Sequence, residues 1–172
     1  MAIAITGSSK LAGSIINTFG ADSYRVEDNI DKKRYDVFIN NAHVEFEQTR
    51  LLQEWFQAWR YDASKLIINI SSRAGLPNLS KGYMYGAQKA ALDHLADNLT
   101  YNSDKKCRIT TINLGMLEDE LPSLSYKEVC DLIDYILKLP THLEIPRIFF
   151  QHSANYVSVQ DMKSYRYKSK EN

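Results

Sequence analysis

From Lys65 to Lys89 the chain reads KLIINISSRAGLPNLSKGYMYGAQK, and few folds accommodate that order of residues. Leu66, Ile67, Ile68 and Ile70 make a short, β-branched apolar run, which suits a parallel strand covered on both faces better than an amphipathic helix. Ser71 and Ser72 follow at its carboxyl end, where ligands sit in open α/β sheets. Gly75 and Pro77 then turn the chain. Tyr85 and Lys89 stand four apart at the start of a helical pattern, so their side chains share one face. An ammonium beside a phenol favours the phenolate, so Lys89 would lower the pKa of Tyr85 towards the range useful for proton transfer. A Tyr-x-x-x-Lys pair alone is a common surface feature of helices. Its conjunction with a serine turn thirteen residues earlier is more specific.

Two further stretches point the same way. Ile3 to Thr6 is a short apolar strand that runs into Thr6-Gly7-Ser8-Ser9-Lys10-Leu11-Ala12-Gly13, after which Leu11, Ile15, Ile16 and Phe19 recur at helical spacing up to Gly20. A strand, a glycine turn and a helix make the dinucleotide-binding arrangement, in which backbone amides at the helix N-terminus meet a pyrophosphate. A brief second strand is expected at Tyr24 to Val26, followed by Glu27 and Asp28. An acidic residue here suits the adenosine ribose hydroxyls and favours NAD, whereas Lys10 in the turn suits the 2′-phosphate of NADP and tips the expectation that way. The strand Asp36 to Ile39 ends in Asn40-Asn41-Ala42-His43. Only the residues from Asn29 to Tyr35 precede it, too few for a crossover helix and another strand.

These residues resemble the short-chain dehydrogenase/reductase family, whose serine and Tyr-x-x-x-Lys are spaced as Ser72, Tyr85 and Lys89 are. The resemblance spans Thr6 to about Phe150. It implies an NAD(P)-dependent oxidoreductase that interconverts an alcohol and a carbonyl on a small molecule. Tyr85 would move the proton, Ser72 would hydrogen-bond the substrate oxygen, and Lys89 would tune the tyrosine and hold the nicotinamide ribose. By the same resemblance the cofactor would contact Thr6, Gly7, Ser9, Lys10, Leu11 and Gly13 in the turn, and Asp28 after the second strand. Asn40, Asn41 and Ala42, together with Tyr85, Lys89 and Gly115, would complete its site. Besides the missing crossover, the chain departs from the family in several places. Leu11 stands where the middle glycine belongs, His43 replaces the glycine after Asn-Asn-Ala, and Leu114 replaces the proline before Gly115. No asparagine occurs between Val44 and Asp62, where many members hold a relay water, although Gln48 is a candidate substitute. A catalytically reduced relative, serving as a nucleotide-binding or regulatory module, is therefore the competing expectation.

The remaining chain fits one α/β domain. Leu51, Leu52, Trp55, Phe56 and Trp59 form a broad apolar stripe that suits a core or a subunit interface, and a homodimer or homotetramer is expected. After Tyr85, the residues Ala91, Leu92, Leu95 and Leu99 continue an apolar face, with Asp93, Asp97 and Asn98 opposite. His94 and Asp97 lack further ligands, so no metal is expected. Cys107 to Asn113 reads as a strand, Ser125 and Glu128 as a capping box, and Ile145 to Phe150 as the last strand. Acidic Glu118, Asp119 and Glu120 surround the position after Gly115. The expected fold is a single-domain, doubly wound, Rossmann-like α/β structure over residues 1–150, a mostly parallel sheet of about six strands flanked by helices. A polar, basic tail covers 151–172. Lysine plus arginine equals aspartate plus glutamate at 21 each, which gives no general attraction to nucleic acid or acidic lipid. The two cysteines have no metal spacing and fit a reducing, cytoplasmic setting.

Overall fold

A computed structural model describes residues 1–77, 82–118 and 122–154; Asp119, Glu120 and most of the expected tail lie outside them. The strands are β1 (Ile3–Thr6), β2 (Asp22–Tyr24), β3 (Val37–Asn40), β4 (Leu66–Ser72), β5 (Arg108–Leu114) and β6 (Arg147–Phe150). The helices are α1 (Lys10–Phe19), α2 (Glu47–Trp59), α3 (Tyr83–Tyr101) and α4 (Tyr126–Leu137). All neighbouring strands pair in parallel, in the order β2-β1-β3-β4-β5-β6, so the expected Rossmann-like fold is the one found.

Strand periodicity divides the core. Ile3, Ile5, Val37, Ile39, Leu66, Ile68 and Ile70 face the side covered by α1 and α4. Ala4, Phe38, Ile67 and Ile109 face α2 and α3, because successive strand side chains point to opposite faces. Both faces are covered, which is why β1 and β3 are buried throughout and read as unbroken apolar runs. Caps end the helices as the sequence signals. Ser9 Oγ accepts from Ala12 N at the start of α1, Gly20 closes it at φ 66°, and Ser125 and Glu128 form the reciprocal box on α4.

The segment before β3 contains only a 3-10 turn, Lys32–Arg34, so the crossover is indeed missing and β2 becomes an edge. The second strand is Asp22–Tyr24, two residues earlier than expected, because only these residues pair with Ala4, Ile5 and Thr6. The chain then bends where Arg25 N donates to Asp28 Oδ2. Tyr35, 2 % exposed, closes the gap from beneath. Its hydroxyl donates to Asp22 Oδ2 at 2.7 Å and meets the Tyr24 hydroxyl. The last strand is likewise shorter than expected and half-buried, as an edge strand.

The aromatic stripe of α2 turns wholly inward. Trp55 is fully buried and Trp59 is 3 % exposed; Trp55 stacks on Phe38 at 4.1 Å and meets Trp59 edge-on at 4.6 Å. The stripe is therefore this chain's own core, and its width no longer argues for a subunit interface. Phe38 is the strand residue that requires such a wide face. Trp55→Ala should lower unfolding free energy by about 3–5 kcal/mol, the usual cost of an aromatic cavity, measured by urea denaturation. A cost below about 1 kcal/mol would show that the ring is not the core element described.

Candidate active site

The chain runs from β1 through α1 to β2 on one side, and β3 returns on the other side of β1. Strand order reverses there, and in such sheets the crevice at the carboxyl ends is the binding position. Gly7 and Ala42 face each other across that crevice. A Cβ on Gly7, whose φ is +99°, would lie 3.0 Å from the Ala42 Cβ, so the turn tolerates no larger residue. Thr6 and Asn41 stitch the two strand ends together. Thr6 Oγ1 accepts from Asn41 N and Ala42 N, and Asn41 Nδ2 donates to Thr6 O at 3.1 Å.

A cavity of about 620 Å³ opens here, within the usual range for small-molecule sites. Of the sequence-predicted residues, Gly7, Ser9, Lys10 and Leu11 line one end, with Asn41 and Ala42 beside them. Ser72, Tyr85, Lys89 and Gly115 line the other. Thr6, Gly13, Asn40 and Asp28 do not line it. Thr6 and Asn40 are fully buried supports, Gly13 closes the first turn of α1, and Asp28 is exposed beyond β2. Leu11 is 6 % exposed, and its side chain belongs to the core beneath the turn as much as to the cavity wall. Val44, Leu117 and Tyr126 are lining residues that sequence motifs alone do not single out, and His43, which stands at the glycine position of the Asn-Asn-Ala motif, lines the cavity with them.

The serine turn and α3 are held in close contact. A Cβ on Gly86 would approach Ala74 O to 2.8 Å, so glycine beside Tyr85 lets the helix press on the turn that follows Ser72. Ser72 Oγ accepts from Ala74 N at 3.1 Å, which leaves its proton to donate. Tyr85 is 37 % exposed at the cavity mouth. Lys89 Nζ lies 5.7 Å from the centre of its ring, and the His43 ring meets it edge-on at 4.7 Å.

Lys89 is 4 % exposed, and its ammonium is held from behind by two acceptors, Gln48 Oε1 at 2.6 Å and Ile70 O at 3.1 Å. Burial pulls its pKa down to about 8, against the opposing charge of Asp93. His43 is also pushed below the ordinary histidine value, first by burial and then by the Lys89 charge. Gln48, the candidate substitute for the absent helix asparagine, contacts the lysine directly. Its Nε2 donates to Asn40 O and Ile70 O. Asn40 Nδ2 in turn donates to Gln48 O and Asn69 Oδ1, and Asn69 Nδ2 to Thr111 Oγ1.

Asp93 corrects the sequence reading, which set it on the solvated face of α3. It is 5 % exposed, its pKa raised by burial against hydrogen bonds and a nearby cation. Its Oδ2 accepts from Asn113 Nδ2 at 2.7 Å and lies 3.4 Å from Arg147 Nη1, while the same Asn113 amide reaches Ser72 O at 3.3 Å. The signal was present as spacing: Tyr85, Lys89 and Asp93 step by four along one helix face.

This arrangement, a doubly wound parallel sheet with a cavity at its switch point, defines a nucleotide-binding α/β protein. The sequence pattern of the short chain dehydrogenases matches residues 36–125, and the chain belongs to that family of nicotinamide-dependent oxidoreductases, as a shortened member. No curated protein matches it in sequence. Among solved structures it is similar to serine dehydrogenase from Escherichia coli, with 17% identity, a TM-score of 0.72, and coverage of 91% of this chain and 100% of that one. An alcohol dehydrogenase from the archaeon Thermococcus sibiricus, complexed with 5-hydroxy-NADP, gives 13% identity and a TM-score of 0.66 over 91% and 98% of the chains. The 3-alpha-hydroxysteroid dehydrogenase from Pseudomonas sp. B-0831, complexed with NADH, gives 13% and 0.64 over 87% and 94%. At such identities the likeness is one of fold. No helix among the described residues is long and apolar enough to cross a membrane.

Two linked measurements test the Lys89 cradle. A lysine whose folded pKa lies below its unfolded value costs stability while charged, so stability rises as pH climbs from about 8 towards the ordinary 10.5. Gln48→Leu removes a hydrogen bond to that charge and should destabilise by about 1.5–3 kcal/mol at pH 7. The deficit should shrink at pH 10, where Lys89 is neutral. Equal deficits at both pH values would show that Gln48 stabilises through the Asn40 ladder and not through the lysine.

Proposed function

We propose that this chain interconverts an alcohol and a carbonyl on a small molecule, with a nicotinamide nucleotide as hydride carrier. The observation that carries this reading is that Ser72, Tyr85 and Lys89 open into one cavity with the Gly7–Leu11 turn. The residues fit the nicotinamide side of such a cofactor. The N-terminal turn of α1, with Lys10, favours an anion, and Lys89 offers a cation at the floor near where ribose hydroxyls would lie. When bound, the nicotinamide supplies or accepts the hydride.

The chain's own residues handle the proton. Tyr85 Oη, at the cavity mouth, donates to the carbonyl oxygen in reduction and takes the proton back in oxidation. Ser72 Oγ, whose lone pair is occupied by Ala74 N, donates to the same oxygen and stabilises the charge growing there. Lys89, fixed by Gln48 and Ile70 O, offsets the negative charge left on Tyr85. Val44, Leu117 and Tyr126 border the cavity with apolar and aromatic surface, which favours a substrate with a hydrophobic part beside its carbonyl.

Tyr85→Phe keeps the ring that packs on His43 and removes the proton donor. Carbonyl reduction should fall by about a hundredfold to ten-thousandfold, with nucleotide affinity nearly unchanged in a fluorescence titration. Wild-type activity in this variant would assign the proton transfer elsewhere. Failure of the unmodified protein to reduce any carbonyl in a broad panel, while binding NADPH, would favour a nucleotide-binding module in place of an enzyme.

A further inference from the structure

The ligand cavity stops short of β2. Its described lining comes from residues 7–11, 41–44, 70–72, 85, 89, 114, 115, 117 and 126, and none lies between residues 12 and 40. In a dinucleotide site, the adenosine ribose is gripped by an acidic residue about 20 positions beyond the glycine turn, which here falls at Glu27 and Asp28. The groups around that position are engaged within the chain. Asp28 Oδ2 accepts from Arg25 N at 2.8 Å, and Arg50 Nη2 donates to Val26 O at 2.9 Å. Gly7 N donates to Tyr24 O at 2.8 Å, and Ser23 Oγ donates to Gly7 O at 3.1 Å. Among the described residues no strand stands beyond β2, which is the sheet edge, and a surface on which adenine would otherwise rest is lost with the crossover.

Resting on the nicotinamide reading above, we infer that the site is built for the nicotinamide, ribose and phosphate half of the cofactor, so that a nicotinamide mononucleotide is a full ligand of this protein. All the groups suited to that half are present in the cavity: Lys89 and Tyr85 at the ribose end, and Ser9 and Lys10 at the phosphate end. Adenosine, lying over an exposed edge, gains little contact and contributes little affinity, whichever dinucleotide carries it.

The test is calorimetric titration of the purified full chain with NADPH, NADH, reduced nicotinamide mononucleotide and adenosine, with no turnover required. The mononucleotide should bind within about tenfold of the tighter dinucleotide, a difference of about 1.4 kcal/mol, and adenosine, the part inferred to add little, should not displace it at millimolar concentration. Lys89→Met should weaken the mononucleotide and the dinucleotides by the same factor. A mononucleotide more than tenfold weaker than the dinucleotide, or adenosine competing with it, would overturn the inference and leave the proposed function standing. Absence of binding by every nicotinamide ligand would overturn both.

Discussion

A buried ammonium organises the carboxyl end of this sheet. Lys89 cannot be left in an apolar interior without partners, since an uncompensated charge there costs several kcal/mol. Gln48 from α2 and the Ile70 carbonyl from β4 supply them. Gln48 in turn must be fixed, and it is, by Asn40 on β3. The β3 to β4 register sets Asn40 beside Asn69, and the β4 to β5 register sets Asn69 beside Thr111. A polar ladder therefore crosses three strands through otherwise apolar surroundings, with its cationic end at the cavity. Such a network specifies one strand register and one position for α2 and α3, because a one-residue slip would strand amides on the wrong face.

A second cluster supports the serine turn from the other side. Arg147 on β6 bridges Asp93 and Asp97 of α3, at 3.4 and 2.8 Å. Asn113 on β5 joins Asp93 to the Ser72 carbonyl. Lys89 and Asp93 are one turn apart, so the helix that carries Tyr85 is anchored by charge at two successive levels. The Asp93 charge also counters the burial that draws protons off Lys89, and the two clusters thereby act on a single ionisation.

The lost crossover explains the opposite end of the molecule. A parallel sheet normally extends past β2, and here the chain returns to β3 through a 3-10 turn. Tyr35 and Ile30 fill the space beneath, and Asp22 with two tyrosine hydroxyls seals it. β2 itself remains an open sheet edge, with Asp22 and Ser23 exposed.

Much of this was legible in the chain itself. β-branched runs of four to seven residues, bounded by glycine turns and alternating with helical stripes, admit few arrangements beyond a doubly wound sheet. The spacing of Ser72, Tyr85 and Lys89 marked one side of the site, and the seven residues before β3 announced the missing crossover. Other features needed tertiary structure because they depend on contacts across many residues. Gln48 becomes a partner of Lys89 only when α2 and α3 pack side by side, 41 residues apart in sequence. Asp93 reads as a surface carboxylate until Asn113 and Arg147 arrive from β5 and β6. The tryptophans of α2 looked wide enough to serve a second subunit, and only the stacking of Trp55 on Phe38 showed where that width goes. Periodicity tells which residues share a face; what that face meets is decided by the order in which the strands assemble.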